Sequence, residues 1–332
     1  MKQWCQLIII SSSLLLNNAL ANEEPLAEQI QSAIQHEAFT VNALLQSGLR
    51  YSLANDNFQG GRNFEVSNAR LSFSGMLDGR FYYRILFNLV DEPNLLDAYL
   101  GYRHSDALRI TAGAMKPKQT QDFIPDPGST DFYDRAHITG LLVASREMGL
   151  SLEGNLSGLY YFGGIFNGNK LSSNNNNEFY GIGRLQYALG NLKIAVQGSH
   201  GNSPGVQTGN SGPTLRGKRT IYGGDMRLES ERLLLAAEYL AGDLETTDFT
   251  DKKEFISGYY FTAGYKIFSK TMVLGRWQEW SALEQGYRDN QFTLGLNHNF
   301  TSITSFQFNF DAYFPENGDN QCGLTFCLQV QF

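Results

Sequence analysis

The chain has 332 residues, with 34 Gly, 23 Phe and 17 Tyr but only 8 Pro, a formal net charge of −7 and a pI near 5.3. That acidic balance argues against a nucleic-acid partner. A mean hydropathy of −0.30 is too polar for a bundle of membrane helices, yet it suits strands that show one face to lipid and the other to water.

Residues 1–21 read as an export signal. Met1-Lys2 carries the positive charge, Leu7 to Ile10 and Leu14 to Leu16 form the apolar centre, and Ala19-Leu20-Ala21 is a small-x-small cleavage site. The mature protein is then expected to begin near Asn22. No other stretch approaches the roughly 18 apolar residues of a membrane helix. Residues 22–38 form a polar, acidic leader. Leu26, Ile30, Ala33 and Ile34 at helical spacing suggest a short amphipathic helix, with a disordered leader as the alternative.

From Phe39 onward the chain alternates. Val41, Ala43, Leu45, Leu49, Tyr51 and Leu53 fall on one face, and Asn42, Gln46, Arg50 and Ser52 on the other. This period of 2 marks a strand with one apolar side. The next strand sets Ala69, Leu71 and Phe73 against Asn68, Arg70, Ser72 and Ser74. Asp78-Gly79 is a two-residue hairpin turn. The third strand sets Phe81, Tyr83, Ile85, Phe87 and Leu89 against Arg80, Tyr82, Arg84 and Asn88. Further strands are expected over 95–104 and 108–114, then near 146–154, 157–167, 179–188, 192–201, 217–228, 232–241, 256–267, 271–280, 290–300, 303–313 and 323–332.

The last of these alternates Leu324, Phe326, Leu328, Val330 and Phe332 with Thr325, Gln329 and Gln331. A strand of roughly 10 residues is the length that crosses a bilayer. The connections alternate too. Tight turns are expected at Asp78-Gly79, Ser105-Asp106, Asn155, Gly190-Asn191, Ser230-Glu231, Ser269-Lys270 and Thr301-Ser302. Longer loops are expected at 54–62, 116–145, 168–178, 202–216, 242–255, 281–289 and 314–322, and only 92–93 breaks the rhythm. Short periplasmic turns and longer outer loops produce this pattern. The fold class expected is all-β: a transmembrane antiparallel β-barrel of about sixteen strands over residues 39–332, in the outer membrane of a Gram-negative cell.

The loop from Lys116 to Ser145 is the longest. A connection that long is usually functional, and as the third long loop it is expected to fold into the barrel. Cys5 leaves with the signal. Cys322 and Cys327 remain, in an oxidising compartment. One extended strand would hold them about 16 Å apart, too far to bond, whereas a bend before the strand would let them pair, so both arrangements stay open.

Several segments, in order, resemble the phosphate-selective porin (O/P) family of outer-membrane proteins. They are Asn68-Ala-Arg-Leu-Ser-Phe-Ser-Gly75, Arg109-Ile-Thr-Ala-Gly-Ala-Met-Lys-Pro117, Phe166-Asn-Gly168, Ala237-Glu-Tyr239, Gly258-Tyr-Tyr-Phe-Thr-Ala-Gly-Tyr265, Leu274-Gly-Arg-Trp277 and Thr293-Leu-Gly-Leu-Asn297. The resemblance spans about residues 39–332. It implies a sixteen-stranded, commonly trimeric porin with a basic pore that passes phosphate or polyphosphate. It also implies that the barrel assembly machinery reads the closing strand. Outer-membrane lipid, lipopolysaccharide and small anions such as phosphate are the other partners expected. Passive diffusion needs no cofactor.

Parity alone gives a candidate pore wall. With apolar faces outward, the inward cations include Arg50, Arg70, Arg80, Arg84, Arg103, Arg109, Arg184, Lys193, Arg219, Arg227, Arg232, Lys266 and Arg276. Inward acids are fewer: Asp97, Glu147, Glu153, Asp225, Glu238 and Asp311. Lys116 and Lys118 stand at the entrance of the long loop. The candidate pore-lining or substrate-binding set is therefore Arg50, Arg70, Arg84, Arg103, Arg109, Lys116, Lys118, Arg184, Arg219, Arg227 and Arg276. Rings of Arg and Lys select anions, and guanidinium suits phosphate oxygens. The blander reading is that such arginines pair with lumen acids and stiffen the wall. Asp122, Asp126, Asp131 and Asp134 in the long loop favour cations, so a general or cation-preferring porin is the alternative, and a structural tether a more distant one. The five His are scattered, with no Gly-x-Ser-x-Gly and no His-Glu-x-x-His, so no enzyme is expected.

Overall fold

Alternation on this scale leaves every strand with one apolar face to hide and a row of backbone groups to pair. Closure into a barrel in lipid answers both needs. The structure, a computed structural model, describes residues 35–54, 58–90, 94–246 and 253–332. The signal sequence, most of the expected leader helix and the turn at 91–93 lie outside the described residues. At the end of the leader, Gln35–His36 is a two-residue strand hairpinned onto Phe39–Thr40.

The first five barrel strands are β1 (Phe39–Ser52), β2 (Arg62–Leu77), β3 (Phe81–Asn88), β4 (Asn94–Ser105) and β5 (Leu108–Met115). After the long loop come β6 (Glu147–Leu156), β7 (Leu159–Phe166), β8 (Tyr180–Leu189), β9 (Leu192–Gln207), β10 (Thr214–Glu229) and β11 (Leu233–Thr246). The last five are β12 (Lys253–Phe268), β13 (Thr271–Ala282), β14 (Tyr287–Asn299), β15 (Thr304–Phe314) and β16 (Gln321–Gln331). Each pairs antiparallel with its sequence neighbours. The closing seam joins β16 to β1, from Gly323↔Ser52 to Gln331↔Leu44. Sixteen strands thus form one closed sheet.

The turn chemistry places the hairpins. Asp78 (φ 51) and Gly79 (φ 65) both adopt the left-handed region that a two-residue hairpin of matching twist demands. The turn expected at Asn155 lies two residues later, at Ser157 (φ 49) and Gly158 (φ 90), because Leu156 still pairs with Leu159. The strands from β9 to β12 outrun the expected ones, and the loops at 202–216 and 242–255 shrink accordingly. The alternation lapses here while the backbone ladder continues, as in Asn202↔Lys218 and Val206↔Leu215, and Leu215 and Leu244 are buried with the L3 residues Leu141 and Leu142.

Side-chain parity follows the sequence. Leu45, Leu185, Val196, Phe261 and Leu328 stand exposed on the outer surface, whereas Gln46, Ser72, Gln197, Gln278 and Gln329 are buried inside. Such a continuous apolar exterior suits lipid and not water. Among the described residues no helix is long and apolar enough to cross a membrane. Cys322 pairs across from Ala312 and Cys327 from Gln307. Five residues apart on one extended strand, they point to opposite faces, and both are free thiols. This decides the alternative left open by their spacing.

Inside, the long connection between β5 and β6, here L3, folds into the lumen. Its helix α1 (His137–Leu142) presents Ile138, Leu141 and Leu142 to Leu240, Ile256 and Trp280 on the inner face of β11–β13. An apolar patch on an otherwise polar inner wall makes sense only if something covers it.

Candidate functional site

L3 is tied around much of the inner wall. Gln119 Nε2 donates to Ser199 Oγ (3.0 Å), and Gln121 Nε2 to the Ala237 carbonyl (2.6 Å). Gln46 and Gln329 donate to the Pro127 and Gly128 carbonyls, and Gln307 to that of Thr130. His137 N donates to Gln278 Oε1 at 2.8 Å. These side-chain amides are the polar inner face read from the sequence, here serving as fasteners for the backbone of L3.

Two L3 carboxylates are fastened by wall arginines. Arg50 grips Asp134 with two bonds, at 2.8 and 2.9 Å, and donates Nε to Glu65 at 2.9 Å. Arg227 grips Asp131 likewise, at 2.7 and 3.0 Å. Arg276 donates to the Asp134 carbonyl at 3.1 Å and lies over the Phe132 ring. Bidentate pairs of this kind fix geometry as well as charge. They also neutralise acids that would otherwise favour cations.

Other candidate cations sit within the wall. Arg184, 2% exposed, donates to Asp225 at 2.9 Å. Arg219, 4% exposed, stands 3.6 Å from Glu147 and 3.5 Å over the Tyr180 ring. At the turn end of the barrel, Lys118 donates to Glu153 at 2.6 Å and Arg103 to Asp106 at 2.6 Å. Arg109 lies 3.8 Å from Asp106.

What the fold brings together is Arg70, Arg84 and Lys116, around Asp126 of L3. Arg84 Nη2 lies 3.4 Å and Lys116 Nζ 3.7 Å from the Asp126 carboxylate. Arg84 also reaches Asp97 at 3.6 Å, which accepts from Arg146 Nε at 2.7 Å. Lys116 donates to the carbonyls of Ile124 and Pro125, and Arg135 donates to the Pro125 carbonyl at 2.6 Å. Arg70 has no carboxylate within ion-pair distance among the described residues, and its buried Nε has no hydrogen-bond partner. Asp122 also acts on Arg135, so five cations face three carboxylates. Burial would raise Asp126, but Lys116, Arg84 and Arg70 hold its carboxyl below the ordinary value. Burial, then repulsion from Arg135, Arg146 and Arg70, pushes Lys116 down to about 7 against the pull of Asp126.

Sequence parity missed Arg135 and Arg146. Arg135 lies in L3, where period 2 assigns no face, and Arg146 opened the expected strand 146–154 beside the inward Glu147, so parity turned it outward; in the structure β6 begins only at Glu147.

The cluster borders three cavities inside the barrel. On the loop side, a cavity of about 550 Å³ is lined by Arg70 and Arg135. On the turn side, a cavity of about 450 Å³ is lined by Arg84, Arg103, Arg109 and Lys118. A smaller space of about 160 Å³ shares Arg84 and Lys118 with the turn-side cavity and is also lined by Asp97, Lys116 and Asp126. Clustered cations lining an aqueous lumen favour anions.

Residues 39–193 match the family model described as phosphate-selective porin O and P. Over that first half of the barrel the chain is similar to that family. Its fold agrees with solved porins. The trimer form of OmpT from Vibrio cholerae superposes with a TM-score of 0.69 at 11% identity, covering 89% of this chain and 100% of that one. An anion-selective porin from Comamonas acidovorans gives 0.70 at 14% identity, covering 89% and 99%. OmpF of Salmonella typhi, in complex with daunomycin, gives 0.69 at 10% identity, covering 89% and 97%. No curated protein matches the chain. The family match and the barrel fold together support an outer-membrane porin.

Proposed function

We propose that this porin passes small hydrophilic solutes down their gradients with a preference for anions, phosphate among them. The observation that carries the reading is the excess of positive charge around Asp126. Arg70, Arg84, Lys116, Arg135 and Arg146 face three carboxylates, Asp97, Asp122 and Asp126, while Asp131 and Asp134 are spent on Arg227 and Arg50. A cationic cluster raises the local anion concentration, and its guanidiniums replace part of the water lost by a dehydrating phosphate. Binding must stay weak enough for release. The mature chain begins near Asn22 after removal of the signal, and three copies assemble in the membrane, as the trimer form of the Vibrio cholerae relative does.

The test is a planar bilayer with a KCl gradient. The reversal potential is expected to report anion preference, and phosphate to block chloride current at millimolar levels. Replacing Arg70 and Arg84 together by Ala is expected to shift the potential toward cations and weaken the block, with conductance retained. A cation-preferring parent channel would overturn the reading.

A further inference from the structure

The loop-side vestibule carries a feature that bare ion passage does not require. Along one side runs a continuous series of stacked rings. Phe58 stacks on Tyr313 (centroids 5.8 Å, planes 8° apart), Tyr313 on Trp280 (5.9 Å, 7°), and Trp280 on His137 (4.1 Å, 27°). These rings come from four separate places: the loop after β1, then β15, β13 and L3. Burial pushes His137 down to about 4, so at neutral pH it is an uncharged ring and not a further cation. The same cavity is lined by Arg70 and Arg135, and by the amides of Gln278 and Gln291. Tyr313 is itself held by a 2.6 Å bond from its hydroxyl to Asp289.

The cavity's volume of about 550 Å³ lies within the ~300–1,000 Å³ of sites that hold small organic molecules, and far exceeds the needs of one phosphate ion. Aromatic faces attract planar rings irrespective of sequence or substituent, because every such ring has a π-face. Guanidiniums attract phosphate oxygens. We propose that the vestibule is a capture site for phosphate monoesters carrying a planar ring, nucleoside monophosphates being the type. The ring lies along Phe58, Tyr313 and His137, and the phosphate faces Arg70 and Arg135. This deepens the anion reading above and rests on it: the ester is loaded at the aromatic wall with its charged end already at the cationic cluster.

Block of chloride current in the full-length porin in planar bilayers tests it. AMP, inorganic phosphate, ribose 5-phosphate and adenosine are compared from the outer side. AMP is expected to block at about a tenth of the concentration that phosphate and ribose 5-phosphate need, with adenosine weak. The variants Tyr313→Leu and Phe58→Leu are each expected to bring AMP back toward the phosphate value while leaving phosphate block unchanged. Arg70→Ala is expected to weaken both. Phe58 lies outside the strands, so its variant retains a test if Tyr313→Leu fails to fold. AMP no more potent than phosphate would overturn this proposal and leave the anion reading standing. Absence of block by either would overturn both. An AMP advantage that survives both ring variants would place the ring elsewhere and also overturn the proposal.

Discussion

On the β8–β13 side of the lumen every candidate arginine has met a partner: Arg184 has Asp225, Arg219 has Glu147, Arg227 has Asp131, and Arg276 has the Asp134 carbonyl. On the β2–β4 side, Arg70 has no carboxylate partner among the described residues. Arg84, Arg146 and Lys116 share Asp97 and Asp126 between them. Both groups have the same inward parity and the same side-chain chemistry. They differ in what stands opposite. A guanidinium bidentate to a carboxylate presents a nearly neutral unit to a passing ion, whereas an excess guanidinium sets the local potential. Inward position is therefore a weak guide to selectivity, and the local balance of charge a strong one.

The largest expected effect breaks the paired side. Arg184→Ala leaves Asp225 buried without its cation, a change that typically costs about 3–5 kcal/mol. Urea unfolding of the refolded barrel in lipid vesicles is expected to show that loss, and the folded fraction is expected to keep the parent's reversal potential. The double variant Arg184→Ala with Asp225→Ala is expected to recover part of the stability, since no lone charge remains. A single variant as stable as the parent would mean the pair is solvated and the two sides of the lumen are alike.

The second prediction sets one side against the other in a single measurement. Arg70→Ala removes an uncompensated charge. At ~7 Å in water such a charge is worth about 0.6 kcal/mol, roughly a threefold change in local anion concentration. The anion-to-cation permeability ratio is expected to fall by about that factor. Removing Arg227 together with Asp131 deletes a cation and its anion, so the ratio is expected to stay within error of the parent's. Equal shifts in the two variants would erase the distinction.

The strand framework was legible because lipid on one side and water on the other impose a period of 2 on every strand. Arg70, Ser72 and Arg84 point inward as their neighbours Leu71, Phe73 and Ile85 require. The long loop's length marked it as functional, and its inward course was expected from the likeness to sixteen-stranded porins and not from its own residues. Its fastening was not legible. Arg50 and Asp134 are far apart in sequence, and nothing local to either says that they meet. Nor does alternation extend to Arg135, whose side chain is placed by L3 as a whole, and it turned Arg146 to the wrong face. The upper parts of β9–β12 were missed for the converse reason: their backbone still pairs, but the alternation of apolar and polar residues lapses.

The smallest expected effect concerns how the unpaired side responds to pH. Lys116 is the one cation of the cluster whose charge is poised near neutrality. Burial, with Arg135, Arg146 and Arg70 nearby, brings it down to about 7 although Asp126 favours its charged form. Below pH 7 it carries its proton and adds to the positive cluster. As pH rises through 7 it loses that charge, while the arginines keep theirs and Asp126, held low, stays ionised throughout. Anion preference is therefore expected to weaken between pH 6 and pH 8, by roughly twofold in the permeability ratio, since one screened charge is at stake. Lys116→Met is expected to show the weaker preference at both pH values and to lose the dependence. The paired side offers no comparable group, because its cations Arg227 and Arg50 are guanidiniums and not amines. A pH response that persists in Lys116→Met would assign the titration to another group and leave Lys116 as a structural partner of the Ile124 and Pro125 carbonyls.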